Sequence, residues 1–234
     1  MQPDQIFSAL PQLPVPSALL DDADVISQAV NRMQESLRVL EKGGLNLVGE
    51  MLRGQGTFYE MQHYPEGDVY DSSSHGQYYY HAHRGSELEH GHFHLFMRHA
   101  GMPVDTVPVA DSISQALWPT GSDAIAHIIA VSMDKQGLPL GLFACNRWVT
   151  GETWYSAEQV IAMLDLFEID HAYPSWPTNR WLTDLVKVYR PQIEVLLRHR
   201  DQVVAAWQEL FPRWDALEDR ELEITGYIPL SSCG

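Results

Sequence analysis

Cysteine is nearly absent from this chain. Its 234 residues hold two, Cys145 and Cys233, which indicates no disulfide framework. Cys145 lies in an apolar run and reads as a buried thiol. Positive charge is also scarce. Fifteen Lys and Arg stand against 31 Asp and Glu, for a formal net charge of −16. That balance excludes non-specific nucleic-acid binding and attachment to anionic lipid. No apolar run approaches the roughly 18–20 residues that span a bilayer. The first residues offer Asp4 and several prolines rather than a basic segment ahead of an apolar one, so they do not read as a signal peptide. The expectation is a cytoplasmic protein with neither nucleic acid nor membrane as partner.

What is present suffices for a core: 45% of residues are hydrophobic and 20% charged, an ordinary globular mixture. Pro3, Pro11, Pro14 and Pro16 mark residues 1–20 as an extended N-terminal arm. Residues 21–234 read as a single domain. Asp21, Asp22 or Asp24 caps a helix with apolar positions Val25, Ala29, Met33, Leu37 and Leu40, ended by Gly43–Gly44. Residues 45–53 read as a short helix or irregular segment. Thr57–His63 reads as a strand, followed by a loop through Pro65, Gly67 and Asp71–Ser74. Residues 98–123 form a long connection with one helical turn near Ser112–Leu117. Ala124–Met133 and Pro139–Trp148 read as strands, the first central because it is apolar on both faces. Ser156–Gln159 resembles a capping box ahead of a helix of about three turns. Pro177 opens another helix, Pro191 breaks it, and Leu222–Ile228 forms a last strand. The order implies α+β: an antiparallel sheet of about five strands with helices on one face.

The chain is organised around residues 77–98, QYYYHAHRGSELEHGHFHLFMR. Five of the eleven histidines fall there, at alternate positions: His81 and His83, then His90, His92 and His94. Side chains at i and i+2 share one face of a strand. The short polar stretch Gly85–Leu88 joins two strands as a hairpin. With His81 opposite His92 or His94, the imidazoles converge on one patch, and a one-residue slip scatters them. The other face then carries Tyr78, Tyr80, Ala82, Phe93, Leu95 and Met97, a fit core surface.

Four stretches carry a resemblance: YYYHAHR at 78–84, EHGHFH at 89–94, NRWVTGETWY at 146–155 and FEIDHAYPSWPTNRW at 167–181. From Phe58 to about Arg200 the chain resembles an uncharacterised family of bacterial proteins of unknown function. The resemblance implies no activity and transfers no catalytic residue.

Several imidazoles in one patch point to a transition metal, for which imidazole is the commonest ligand. The expected ligands are His81, His83, His92 and His94, and the expected ion is iron, copper or zinc; nitrogen donors do not suit calcium or magnesium. Glu87, Glu89 or Glu60 is placed to complete the shell. Tyr79, next along from His81 on the same face, is a candidate proton donor. Arg98 is a candidate anchor for an anionic group, and Glu89 a candidate catalytic carboxylate. His127, alone in an apolar run, reads more readily as a core residue than as a ligand. His90 and His171 are further candidates. The reading is a metal-dependent enzyme, an oxidoreductase acting on a small-molecule substrate. The alternative is a non-catalytic ligand-binding or interaction module with structural or pH-responsive histidines.

Overall fold

The computed structural model describes residues 13–14, 23–83, 88–110 and 114–230. Among these, six strands form one antiparallel sheet in sequence order: β1 (Tyr64–Tyr70), β2 (Gly76–His81), β3 (Gly91–Arg98), β4 (Ile125–Met133), β5 (Pro139–Cys145) and β6 (Ile224–Pro229). Helices α1 (Ala23–Lys42), α2 (Leu47–Leu52), α3 (Arg147–Thr150), α4 (Ala157–Ile161), α5 (Trp176–Val188) and α6 (Arg190–Leu210) complete it. The fold is α+β, with one strand more than expected. No helix among the described residues is long and apolar enough to cross a membrane.

The apolar face of the sheet builds the main core. Tyr78, Tyr80, Phe93, Leu95, Met97, Val131, Leu142, Ala144 and Ile228 pack with Trp181, Leu185, Ile193 and Leu196 of α5 and α6. Trp176 and Pro177 begin α5 as expected, and the helix stops at Val188, ahead of Pro191, which then serves the first turn of α6. Arg32 of α1 grips Asp184 of α5 through two nitrogens, Nε at 2.9 Å and Nη2 at 2.5 Å. This forked geometry ties the outer helix to the inner one. Leu13, in the proline-rich arm, donates its N–H to the Tyr227 carbonyl at 3.4 Å and so touches β6.

The expected strand Pro139–Trp148 ends at Cys145, with Arg147 and Trp148 in helix α3. Two further elements differ from expectation. Thr57–His63 is not a strand; the first strand starts at Tyr64. Met61 takes a left-handed φ of 68°, which breaks the extended run. The Tyr64 hydroxyl accepts the Tyr59 N–H at 2.7 Å and curls the segment around its own ring. The second is the helix after Ser156, which covers only Ala157–Ile161 before giving way to a 3-10 turn at Leu164–Leu166. Ser156 makes no capping bond; Asp201 of α6 accepts the Ala157 N–H at 2.6 Å instead. The helix end is therefore fixed by tertiary contact. The expected turn at Gly85–Leu88 lies outside the described residues apart from Leu88, as do Cys233, Asp21 and Asp22.

The hairpin at the centre is close-set. A Cβ on Gly91 would stand 2.5 Å from the His81 carbonyl oxygen and 2.6 Å from the Tyr80 hydroxyl. Its partner turn, between β1 and β2, is held by the buried Asp71. That carboxylate accepts the N–H groups of Ser73 (2.8 Å), Ser74 (3.1 Å) and Asp170 (2.7 Å). Burial pushes the Asp71 carboxyl up, but the three backbone donors outweigh it and hold it below its ordinary value. A depressed folded value means stabilisation that is complete above the unfolded pKa of about 3.9 and lost as pH falls through the folded value. Asp71→Ala is expected to cost roughly 2 kcal/mol at neutral pH. In urea denaturation the gap from the wild type should close toward pH ~2; a gap constant across that range would refute the charge-based account.

Candidate metal centre

Strand pairing lays the second face of the sheet out in rows. His81 pairs with His92, His92 with Ser132, and Ser132 with Gly141. The next row runs Tyr79, His94, Ala130, Phe143, Tyr227. Residues paired across strands point to the same face. Ser132, Gly141 and Ala130 are small, which leaves room for the rings beside them.

A third row depends on an irregularity. Leu95 pairs with Ile129, but Phe96 pairs with His127, so Ile128 is an extra residue in β4. Simple alternation would put His127 on the core face with Ile129 and Val131. The bulge turns it to the other face, while Ile128 and Ile129 both enter the core. His127 thereby reaches His94, with Nε2 of the former 3.0 Å from Nδ1 of the latter. Cys145 of β5 lies 3.7 Å from His127 Nδ1 through its sulfur.

Three imidazoles form the tightest set. His81, His92 and His94 are buried, and one nitrogen from each lies within 4.8 Å of the other two. His92 Nε2 is 2.8 Å from His81 Nε2. On its other edge His92 Nδ1 meets Glu89 Oε1 at 2.7 Å. Glu89 Oε2 accepts from the Ser132 hydroxyl at 2.6 Å. A carboxylate on Nδ1 selects the tautomer with its proton there and leaves Nε2 with its lone pair. The adjoining set His94, His127 and Cys145 meets the same 4.8 Å condition and is also buried. These buried groups can hold a metal ion.

Tyr79, the expected proton donor, adjoins the imidazoles. Its ring centroid is 5.2 Å from both His81 and His94. Burial is the first cause that drives its phenol well above the ordinary value, so it stays protonated. The His63 ring stacks on it at 3.6 Å and 9°. From there a polar chain runs outward: His63 Nδ1 to Asp68 Oδ1 (3.0 Å), Gln77 Nε2 to Asp68 Oδ2 (2.7 Å), and Arg98 Nε to Gln77 Oε1 (2.6 Å). Tyr79, His63, Gln77 and Arg98 line an open cleft of about 410 Å³.

Of the expected ligands, His81, His92 and His94 come together. His83 stands past the end of β2, half-buried, with its ring centroid 5.0 Å from that of His81 and 5.1 Å from that of His92. Arg98 is on the cleft rim. Glu89 contacts His92 rather than open space. Glu60 is exposed, and Glu87 lies outside the described residues. His90 does not follow the alternation: its Nδ1 meets the Tyr80 hydroxyl at 2.6 Å, on the core side, because β3 begins only at Gly91. His171 sits near Asp71, at the far end of β2 from His81.

The sequence reading sets Cys145 and His127 down as core residues and does not single out Glu152. Cys145 alternates with Phe143 and Gly141, so its face was readable once β5 was paired with β4. His127 needed the bulge, which no residue signals. Glu152 is fully buried and accepts the His127 backbone N–H at 2.5 Å through Oε2. Desolvation pushes its carboxyl up to about 7, against the pull of Arg200 and of that hydrogen bond. Burial, and next the Arg200 guanidinium, push the His127 imidazole down to about 3, so it is neutral at physiological pH.

No curated protein and no solved structure matches the chain. A family described as a domain of unknown function (DUF6969) matches residues 27–230, which contain all six strands, both close-set groups and the Tyr79 cleft. With that match running over most of its length, the chain belongs to this family.

Proposed function

We propose that the protein is a transition-metal enzyme in which His81, His92 and His94 hold the ion and the cleft beside Tyr79 takes a small organic substrate. The observation that carries this reading is the convergence of three buried imidazole nitrogens with Glu89 set behind one of them. Three nitrogen donors suit iron, copper or zinc and leave coordination positions for a substrate or water. Bound there, the ion would supply Lewis-acid chemistry or, as iron or copper, the electron transfer that an oxidoreductase needs. The protein side chains supply the rest. Arg98 at the rim attracts an anionic group. Tyr79, protonated and one ring from His94, is placed to donate a hydrogen bond or a proton. Glu89 fixes the orientation of His92 and acts through it. With the His92 proton on Nδ1, the 2.8 Å contact between His81 Nε2 and His92 Nε2 is bridged by a proton of His81; an ion held by both nitrogens would require His81 to carry that proton on Nδ1 instead.

One observation favours a second reading. His92 and His94 are both 0% exposed, as suits a structural ion that locks the hairpin and performs no chemistry. The two readings share the metal and differ in whether Tyr79 and Arg98 matter.

Metal analysis of the purified protein tests both. The double variant His81→Ala/His92→Ala is expected to lose about one equivalent of bound transition metal, and chelator should lower the melting temperature of the wild type by more than that of the variant. Protein that takes up no transition metal and melts identically with and without chelator would sink the proposal. Glu89→Gln is expected to keep the fold and weaken metal affinity about 10–100-fold; unchanged affinity would remove Glu89 from its orienting role. Under the enzyme reading, Tyr79→Phe leaves metal content intact while abolishing turnover, whereas under the structural reading it changes neither.

A further inference from the structure

We propose that His94, His127 and Cys145 form a second metal position, one with a thiolate ligand, that shares the His94 ring with the first. It deepens the metal reading above and rests on it for the use of His94. The donor atoms lie within 4.8 Å of one another and come from three adjacent strands, β3, β4 and β5. All three residues are buried. His94 has two ring nitrogens on opposite edges. Its Nδ1 faces His127 Nε2 at 3.0 Å, so Nε2 is the edge for an ion held with His81 and His92. One ring can then serve two ions.

The backbone supports this assignment independently of the side-chain distances. Two sheet irregularities flank the group. The extra residue Ile128 in β4 brings His127 to this face. In β6, Ala144 pairs with Gly226 but Cys145 with Ile224, so Thr225 is extra beside Cys145. Each bulge interrupts a hydrogen-bond ladder, and bulges are over-represented next to active sites, where they re-aim a side chain. Without the one in β4, His127 would face the core.

The donor chemistry selects the ion. A thiolate with imidazoles suits a borderline or soft cation, zinc or copper(I), and disfavours calcium and magnesium. On binding, the Cys145 S–H bond breaks, sulfur keeps the electron pair and bonds to the metal, and the proton passes to solvent. No redox change is involved.

Cobalt(II) titration of the metal-free full chain tests the proposal, because a cobalt–thiolate bond gives an intense near-ultraviolet charge-transfer absorption that cobalt–imidazole bonds lack. The expected result is about two equivalents bound, with that absorption. Cys145→Ser should lose the absorption and about one equivalent. His81→Ala/His92→Ala should keep the absorption and lose the other equivalent. Binding of about one equivalent with no such absorption, insensitive to Cys145→Ser, overturns the second position and leaves the first standing. One equivalent whose absorption Cys145→Ser abolishes, with His81→Ala/His92→Ala unchanged, supports the second position and sinks the first. Should Cys145→Ser fold poorly by circular dichroism, X-ray absorption of the zinc-loaded wild type decides: a sulfur shell at about 2.3 Å supports the assignment, and a shell of nitrogen and oxygen alone refutes it.

Discussion

The ladder register between β2 and β3 is the constraint on which the rest depends. His81 opposite His92 and Tyr79 opposite His94 commit every odd position of β2 and every even position of β3 to one face. A shift of one residue would turn one strand over relative to the other, sending His92 and His94 into the helical core and bringing Phe93 and Leu95 out beside His81. The register is held by what lies behind it. Phe93, Leu95 and Tyr78 are fully buried in the core that also holds Trp181 and Leu185 of α5 and Ile193 and Leu196 of α6, and the apolar area they remove from water contributes on the order of 2 kcal/mol per side chain. The polar face is thus positioned by the apolar one.

The sheet carries more polar groups on its inner surface than hydrophobic burial alone would favour. His81, His92, His94, His127, Ser132 and Glu89 are all buried. A buried polar group without a partner costs several kcal/mol, and here the groups partner one another in a chain: Ser132 to Glu89, Glu89 to His92, His92 to His81. Imidazole tautomers make such a chain adjustable, because each ring can donate at one edge and accept at the other. The same adjustability suits the rings to take up a cation.

The fold class, the hairpin and the converging histidines were legible because each rests on local alternation. Two-residue periodicity over 77–98 assigned the faces, and Pro177 and Pro191 bounded α5. Illegible were features set by distant contacts or by a single extra residue. The segment 57–63 has the composition of a strand, yet the Tyr64 hydroxyl folds it into a turn. His90 sits on the alternation but ahead of the strand, and it turns to Tyr80. His127 has the parity of a core residue until Ile128 interrupts β4. Glu152 is 25 residues from His127, and only the packed structure joins its carboxylate to that backbone.

The glycine that opens β3 has a consequence beyond its own position. With neighbouring atoms at 2.5 and 2.6 Å from where a methyl group would sit, residue 91 works as a gauge block between two strands. Any bulkier occupant would wedge the backbones apart at the point where His81 and His92 meet, and the separation of their rings would widen with it. The spacing of the candidate ligands is therefore dictated from the opposite side of the sheet, by a residue that has no side chain.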